Sequence, residues 1–116
     1  MPSARASATR LGEVAPVFAA LGDETRLRLV ARLSGEGPQS ISRLARGAKV
    51  TRQAITKHLR ALEGAGLARS SRAGRERIWE LRSKRLTDAE HYLEMISAQW
   101  DAAISRLREL VESEEK

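Results

Sequence analysis

Cysteine is absent from this sequence, which excludes disulfide bonds, a thiolate metal site and a thiol redox switch. Aromatic residues are few, so we expect a core built from leucine, valine, isoleucine and alanine. No apolar run is long enough to cross a membrane, because the most apolar early segment, 14–21, is short and contains Pro16. Nothing resembles a secretory signal peptide. We therefore expect a soluble, cytoplasmic protein without a membrane partner.

The residue groupings that catalysis requires are also missing. The sequence has no glycine-rich phosphate loop, no paired carboxylates and no nucleophile with an accompanying base. We therefore predict that the protein is not an enzyme and has neither a catalytic residue nor a cofactor. Its length fits a single domain.

Positive charge, by contrast, is plentiful and unevenly distributed. The net charge is +6 and the isoelectric point is near 10.7, which indicates an anionic partner. Residues 1–82 contain 16 basic and 7 acidic side chains, a net charge of +9. Residues 83–116 contain 5 basic and 8 acidic side chains, a net charge of −3. The N-terminal part is therefore expected to contact a phosphate backbone.

The strongest local pattern lies in residues 51–65, which are predicted to form an amphipathic helix with Thr51 as its N-cap. Its apolar stripe recurs at steps of four and three residues and consists of Ile55, Leu59 and Leu62. The opposite face consists of Gln53, Lys57 and Arg60, with Thr56 at its edge. Arg52 lies in the first turn, where the helix dipole disfavours a cation, and a phosphate or a guanine edge would compensate for that cost.

The residues just upstream complete a motif. Ser40–Arg46 is predicted to be a short helix capped by Ser40, and 47–50 is a turn that contains Gly47. A short helix, a tight turn with glycine and a capped second helix are typical of the helix-turn-helix. In that motif the second helix enters the major groove, with its first residues on the base edges. The pattern predicts a reader of double-stranded DNA.

The N-terminal third is expected to be a tail followed by two helices. Residues 1–10 are small, polar and basic, and we expect them to be disordered. Pro16 suits the first turn of a helix that ends at Gly22. Asp23 can cap a second helix, which the loop 35–38 ends. The apolar stripe of this second helix is predicted to consist of Leu27, Val30, Ala31 and Leu33.

Downstream of the helix-turn-helix we predict a β-hairpin. Gly64 or Gly66 ends the recognition helix, and two short runs, 67–72 and 76–81, are joined by a segment that contains Gly74. Arginines follow the hairpin closely: Arg72 and Arg75 lie at its tip, and Arg69 and Arg77 lie on the strands. A cationic hairpin beside a recognition helix is typical of a wing that contacts DNA. The alternative is a solvated hairpin whose arginines serve solubility.

The last predicted element is a long helix over about residues 86–112. Its apolar residues alternate steps of three and four over more than three heptads: Leu86, Ala89, Leu93, Ile96, Trp100, Ala103, Leu107 and Leu110. So small a domain cannot cover such a stripe alone, so the pattern indicates a partner helix. A second copy of the chain is the simplest partner.

Taken with these motifs, the sequence resembles the ArsR-type winged helix-turn-helix transcriptional regulators over roughly residues 13–112. The matching segments are 17–26, 42–45, 51–59, 62–67 and 74–75. The resemblance implies a mainly α fold with a small β-hairpin, and a homodimer formed by the first and last helices. It also implies a repressor, often of its own operon, with two recognition helices in successive major grooves. Gln53, Thr56, Lys57 and His58 match recognition-helix positions, and Gly74 and Arg75 match the wing tip.

Metal-sensing members of that family use cysteines before the recognition helix, or Asp, His and Glu ligands on the last helix. The first site cannot form here. For the second, Asp88 and His91 lie one turn apart, but the further histidine is missing. We therefore expect a repressor without metal sensing. A metal- or ligand-gated sensor of the same fold and a protein-interaction module that does not read DNA are the alternatives, and no effector is indicated. For His58, a buried hydrogen bond or a phosphate contact fits its place at the edge of the stripe.

The predicted DNA-contacting residues are Thr51, Arg52, Gln53, Thr56, Lys57, His58, Arg60, Arg72, Gly74 and Arg75. The predicted dimer-interface residues are Phe18, Leu86, Ala89, Leu93, Ile96, Trp100, Ala103 and Leu107. No metal ligand is predicted. Residues 11–116 are predicted to form the folded domain.

Overall fold

The computed structural model describes the backbone of residues 4–114 and the side chains of residues 11–114. The described part is mainly helical, with a small antiparallel sheet, as the sequence predicted. In chain order its elements are α1 Ala4–Leu21, α2 Glu24–Glu36, β1 Gln39–Ser40, α3 Ile41–Ala45, α4 Arg52–Gly64, β2 Ala68–Ala73, β3 Glu76–Leu81 and α5 Ser83–Glu114.

The helix-turn-helix is built as predicted, from α3, a turn and α4. The Ser40 hydroxyl accepts a hydrogen bond from the Arg43 backbone N–H at 3.2 Å, and the Thr51 hydroxyl accepts one from Ala54 at 3.1 Å. Both side chains therefore satisfy N–H groups that the first turn of a helix leaves unpaired. Gly47 has φ +71° in the turn, a conformation that favours glycine.

The core lies where α1, α2, α3 and α4 meet the sheet. Ile55, Leu59 and Leu62 are fully buried, which confirms the predicted stripe of α4, and Leu44 of α3 is buried beside them. The composition predicted a purely aliphatic core. Trp79 is fully buried, so the core also contains an aromatic side chain.

On α2, Leu29 is buried with Val30 and Leu33, whereas Leu27 is 50% exposed. The predicted stripe was therefore correct for Val30 and Leu33 and wrong for Leu27 and Ala31, which are both exposed; Leu27 lies about 120° around the helix from Leu33.

The sheet has three strands in the order β1-β3-β2, so the predicted hairpin gains a third strand. Gln39 pairs with Trp79, and Ser40 pairs with Ile78. The side-chain amide of the buried Gln39 donates to the Glu36 carboxylate at 2.7 Å, which helps hold this short strand beside α2. The hydrogen bonds of Glu36 with Gln39 and with Arg32 lower the pKa of the Glu36 carboxyl.

The first helix differs from the prediction. It begins at Ala4 and contains Pro16 internally, so residues 4–10 of the expected disordered tail are helical, and residues 1–3 lie outside the described part. Ala4, Ala6 and Ala8 explain the extension, because alanine has the highest helix propensity. Pro16 has no N–H to donate to the carbonyl one turn earlier, and its ring crowds that carbonyl, so it weakens α1 at this point.

The last helix is longer than predicted and packs on the first. It begins at Ser83, before the expected start near Leu86, and its 32 residues extend about 48 Å. The Arg85 guanidinium pairs with Glu13 at 2.7 Å, and the rings of Phe18 and Tyr92 lie 6.1 Å apart. These contacts fasten the first third of α5 to α1.

Candidate nucleic-acid interface

One face of α4 is exposed at its N-terminal end. Gln53 and Lys57 are exposed opposite the buried stripe, and Arg52, also exposed, lies in the first turn nearer to the stripe. Within residues 11–114 none of these three side chains makes a hydrogen bond or an ion pair. An arginine in the first turn and two further donors are thus presented together without a protein partner.

The hydroxyl groups of Thr51 and Thr56 both form hydrogen bonds with the backbone of α4. Thr51 is exposed, but its hydroxyl caps α4. The Thr56 hydroxyl donates to the Arg52 carbonyl at 2.9 Å and is partly buried. The hydroxyl groups of both threonines are therefore already engaged.

His58 lies on a different side of α4 from Gln53 and Lys57. Its Nδ1 is 3.4 Å from Nη1 of Arg26 and 3.7 Å from a carboxylate oxygen of Asp23. The half-buried imidazole therefore faces the junction between α1 and α2, as the buried alternative anticipated. The structure thus places His58 away from the surface formed by the other predicted contacts.

Asp23, Arg26 and His58 form a cluster that links three helices. The Asp23 carboxylate caps α2 by accepting from the Arg26 backbone N–H at 3.0 Å. The Arg26 guanidinium donates to the Ala20 carbonyl at 2.5 Å, in the last turn of α1. The Arg26 backbone N–H and the charges of Arg26 and His58 lower the pKa of Asp23, although desolvation opposes them. The cluster fixes the end of α1 and the start of α2 against α4.

Arg60, predicted to lie on the exposed face, makes two contacts within the protein. Its guanidinium lies over the ring of Trp79, 5.4 Å from the centroid, and pairs with Glu63 at 3.1 Å. About half of the Arg60 side chain remains exposed. The residue therefore fastens α4 to strand β3 and is less available to a ligand than Lys57.

The hairpin of β2 and β3 projects its charges at the tip. Gly74 has φ +66°, which lets the chain reverse within two residues, and Arg72 and Arg75 are exposed. The strand register places Arg72 directly opposite Arg77. Like charges in opposed positions destabilise a hairpin. Because a destabilising local arrangement is expected where function requires it, the pair indicates that the hairpin binds an anionic partner.

The two other arginines of the hairpin strands are internally paired. Arg69 bonds to Glu80 across the strands, and Arg77 donates to the Ser70 hydroxyl at 2.9 Å. Arg72 and Arg75 show no such pair within residues 11–114. The cations free to meet a ligand are therefore those at the tip.

Three further basic residues were missed by the prediction. Arg43 on α3 and Arg46 and Lys49 in the turn before α4 are exposed. The signal was present, since the first helix of a helix-turn-helix crosses the DNA backbone and its cations are candidates for phosphate contacts. Together with the tip of the hairpin they broaden the basic surface around α4.

The predicted interface residues divide into two groups. Phe18 and Leu86 are partly buried against the core, and Ala89 is only 3% exposed within one chain. Ala89 is therefore a core residue, and its assignment to a dimer interface was wrong because α1 already covers it. The stripe beyond it is largely uncovered: Leu93, Ile96, Trp100 and Leu107 are exposed, and Ala103 is partly exposed.

Neither a metal cluster nor a membrane helix appears in the described part. Among residues 11–114 no three or more His, Asp or Glu side chains group together as metal ligands. Asp88 is partly buried and His91 is exposed. None of the described helices is long and apolar enough to span a membrane.

Comparison with known proteins agrees with this geometry. A family model for a helix-turn-helix domain matches residues 21–71. The chain is 34% identical to an HTH-type transcriptional regulator, Rv2034 of Mycobacterium tuberculosis, over 95 residues that cover 82% of this chain and 85% of that protein.

Solved structures give the same result. An ArsR-like transcriptional regulator from Rhodococcus sp. RHA1 has a TM-score of 0.74 and 41% identity, covering 85% of this chain and 92% of that one. An ArsR family regulator, RHA00566, has a TM-score of 0.71 and 30% identity. The match covers 78% of this chain and 92% of that one. A homodimeric winged helix-turn-helix DNA-binding domain from Mycobacterium bovis shares the fold, with a TM-score of 0.61 and 23% identity. The match covers 85% of this chain and 87% of that one.

Proposed function

Because this chain belongs to the ArsR family of winged helix-turn-helix transcriptional regulators, we propose that it is a homodimeric repressor that binds operator DNA. In this proposal α4 reads bases in the major groove and the hairpin of β2 and β3 contacts the adjacent backbone. The observation that carries it is the N-terminal end of α4, where the side chains of Arg52, Gln53 and Lys57 are exposed and make no hydrogen bond or ion pair within residues 11–114. An amide and two cations at the start of a recognition helix match the donors that base edges and phosphates accept.

The dimer is supported by the apolar stripe of α5. Leu93 and Leu107 lie seven residues before and after Trp100, so two antiparallel copies of α5 would bring both tryptophans near the two-fold axis. The Mycobacterium bovis domain of the same fold is homodimeric. Two recognition helices held by one dimer would meet two half-sites one helical turn apart. We expect this repressor to work without a metal, since the chain has no thiolate and only two histidines.

Binding of the purified protein to DNA from upstream of its own gene tests the proposal. Footprinting should reveal two half-sites. Gln53→Ala should reduce the preference for operator over random DNA by about 1–3 kcal/mol for each lost base contact. Lys57→Ala should weaken binding to both DNAs alike, as loss of a phosphate contact does.

Arg108→Ala is the matched control, because it removes one cation from the distal part of α5. Operator affinity that is unchanged in both α4 variants would refute the assignment of this face.

A further inference from the structure

A cleft of about 480 Å³ opens between α2, α3 and the turn that leads into α4. Its size is within the range of small-molecule sites in proteins. None of the DNA-contacting residues predicted from the sequence lines it, although Arg46 and Lys49, the two turn cations named above as candidates for phosphate contacts, do. The cleft nevertheless adjoins the turn 46–50, which ends at Thr51, the N-cap of the recognition helix.

The cleft lies over the edge of the core. Leu29, Leu44 and Ile55 form its floor but are almost fully buried, so among these apolar residues Val50, 37% exposed at the edge of the turn, presents most of the surface open to a ligand. The exposed part of the Val50 side chain is apolar surface in contact with water. A ligand with a hydrocarbon part would cover that surface and so remove it from water.

The rim of the cleft is basic. Four cations line it, Arg28, Arg32, Arg46 and Lys49, against one carboxylate, Glu24. Arg28 already pairs with Glu24 at 2.5 Å.

The other rim cations differ in what they already bind. Arg32 already donates to the Leu44 carbonyl at 2.8 Å and to Glu36 at 3.3 Å. Arg46 and Lys49 are exposed and show no ion pair within residues 11–114. These two cations are the ones available to an anion.

We propose that this cleft binds a small organic anion that joins an apolar body to one carboxylate. The apolar body lies on the floor, and the carboxylate pairs with Arg46 and Lys49. A free inorganic anion would use only the rim and would leave the exposed part of Val50 in water. The combination of an apolar floor and a basic rim therefore selects amphiphilic carboxylates over phosphate.

Occupation of the cleft lowers operator affinity, a consequence that rests on the proposed function. The ligand contacts the turn that holds Thr51, so it shifts the start of α4, where Arg52 and Gln53 lie. It also neutralises two cations beside the recognition helix, which reduces attraction to the phosphate backbone. The anion would thus act as an inducer.

The first experiment uses the free protein without DNA. Octanoate is titrated into the full chain and followed by backbone amide shifts, with acetate, octanol and inorganic phosphate as comparison probes. We expect octanoate to bind most tightly, with shifts concentrated at residues 46–50. Arg46→Gln combined with Lys49→Gln should lower octanoate affinity by about tenfold.

A double variant on α5, Arg106→Gln with Arg108→Gln, removes the same charge and should leave octanoate affinity unchanged. Octanoate binding that survives in the Arg46 and Lys49 variant, or phosphate binding as tight as octanoate binding, would overturn the cleft as a carboxylate site.

The second experiment adds octanoate to the protein bound to operator at constant ionic strength. Release of operator by octanoate, but not by an equal concentration of acetate, is the expected result. If octanoate binds the cleft and operator binding is unaffected, the inducer role is wrong while the site stands. If the free protein binds octanoate and no operator is found, the proposed function fails and the site again stands.

Discussion

Asp23 shows how one side chain serves both its own helix and the contacts between helices. Its carboxylate caps α2, and its charge faces Arg26 and His58. The cap could be predicted from the sequence, because an aspartate after a glycine and before an apolar period is a local signal. The contact with His58 joins residues far apart in sequence and depends on the packing of α4 against α2. Local patterns therefore predicted the cap but not the cluster.

The lowered pKa of Asp23 predicts how stability depends on pH. A carboxyl whose folded pKa is below its unfolded value stabilises the fold when both states are ionised, and that contribution is lost as pH falls through the folded pKa. Asp23→Asn keeps a capping oxygen and removes the charge. We expect the variant to be less stable than wild type near neutral pH, and the difference to shrink as pH falls below the ordinary value of 3.8.

Urea denaturation at a series of pH values and at fixed protein concentration measures this difference. Asp101→Asn, which removes an exposed carboxylate from α5, controls for the change in net charge. A stability difference that is constant from neutral to acid pH would show that the Asp23 charge contributes nothing.

Arg60 and His58 mark the limit of prediction within the recognition helix. Helical phase correctly separated the buried stripe from the exposed face, since that depends only on the period of the helix. It could not show that Arg60 stacks on Trp79, because Trp79 arrives from a strand 19 residues later. Of the α4 residues proposed to contact DNA, Arg52, Gln53 and Lys57 are exposed and have no hydrogen bond or ion pair from their side chains within residues 11–114.

Among whole elements, α4 and the hairpin were predictable while β1 was not. Both α4 and the hairpin carry strong local signals, a cap with a 3.6-residue period and a glycine turn between two runs. Strand β1 has only two residues, Gln39 and Ser40, and exists because β3 lies beside it. Ser40 is also the N-cap of α3, and that role was the only one visible in the sequence.

The hairpin as an element should act through charge. Its tip holds Arg72 and Arg75 in solvent, and Arg72 lies opposite Arg77 in the strand register. Replacing Arg72 and Arg75 by alanine should reduce the slope of log affinity against log salt by about two per protomer, because each lost phosphate contact removes about one counterion. Gel-shift titrations at several salt concentrations measure the slope.

The same hairpin variant should be slightly more stable than wild type, since it removes a pair of opposed like charges. Arg106→Ala with Arg108→Ala, on α5, is the control with the same loss of charge and should leave the salt slope nearly unchanged. An unaltered slope in the hairpin variant would mean that its arginines serve solubility alone.

At the scale of the whole molecule, charge and apolar surface are separated along the chain. The basic residues surround α4 and the hairpin, whereas the net-acidic segment from residue 83 forms α5 and carries the exposed stripe. This division was visible in the sequence because it depends on composition and period. How far α1 covers α5 was not visible, and for that reason Ala89 was assigned to the wrong surface.

Trp100 is the residue on which the proposed dimer depends most. Its side chain is 66% exposed in one chain and lies midway along the uncovered part of the stripe. A buried tryptophan removes about 150–250 Å² from water, so the pair near the two-fold axis would contribute strongly to association. Trp100→Glu would instead place two carboxylates there, at a cost of several kcal/mol for each charge left unpaired.

We expect Trp100→Glu to be a monomer that keeps most of its helix content, because the core around Leu44, Leu59 and Trp79 does not include residue 100. Operator affinity should fall steeply, since two linked half-sites bind at high effective concentration and one does not. Light scattering and gel-shift titration on the same samples test both parts. Ala98→Glu adds the same charge about 160° around the helix, opposite the stripe, and should remain dimeric. A Trp100→Glu protein that stays dimeric, or a monomer that binds operator as tightly as wild type, would show that α5 does not hold the DNA-binding dimer together.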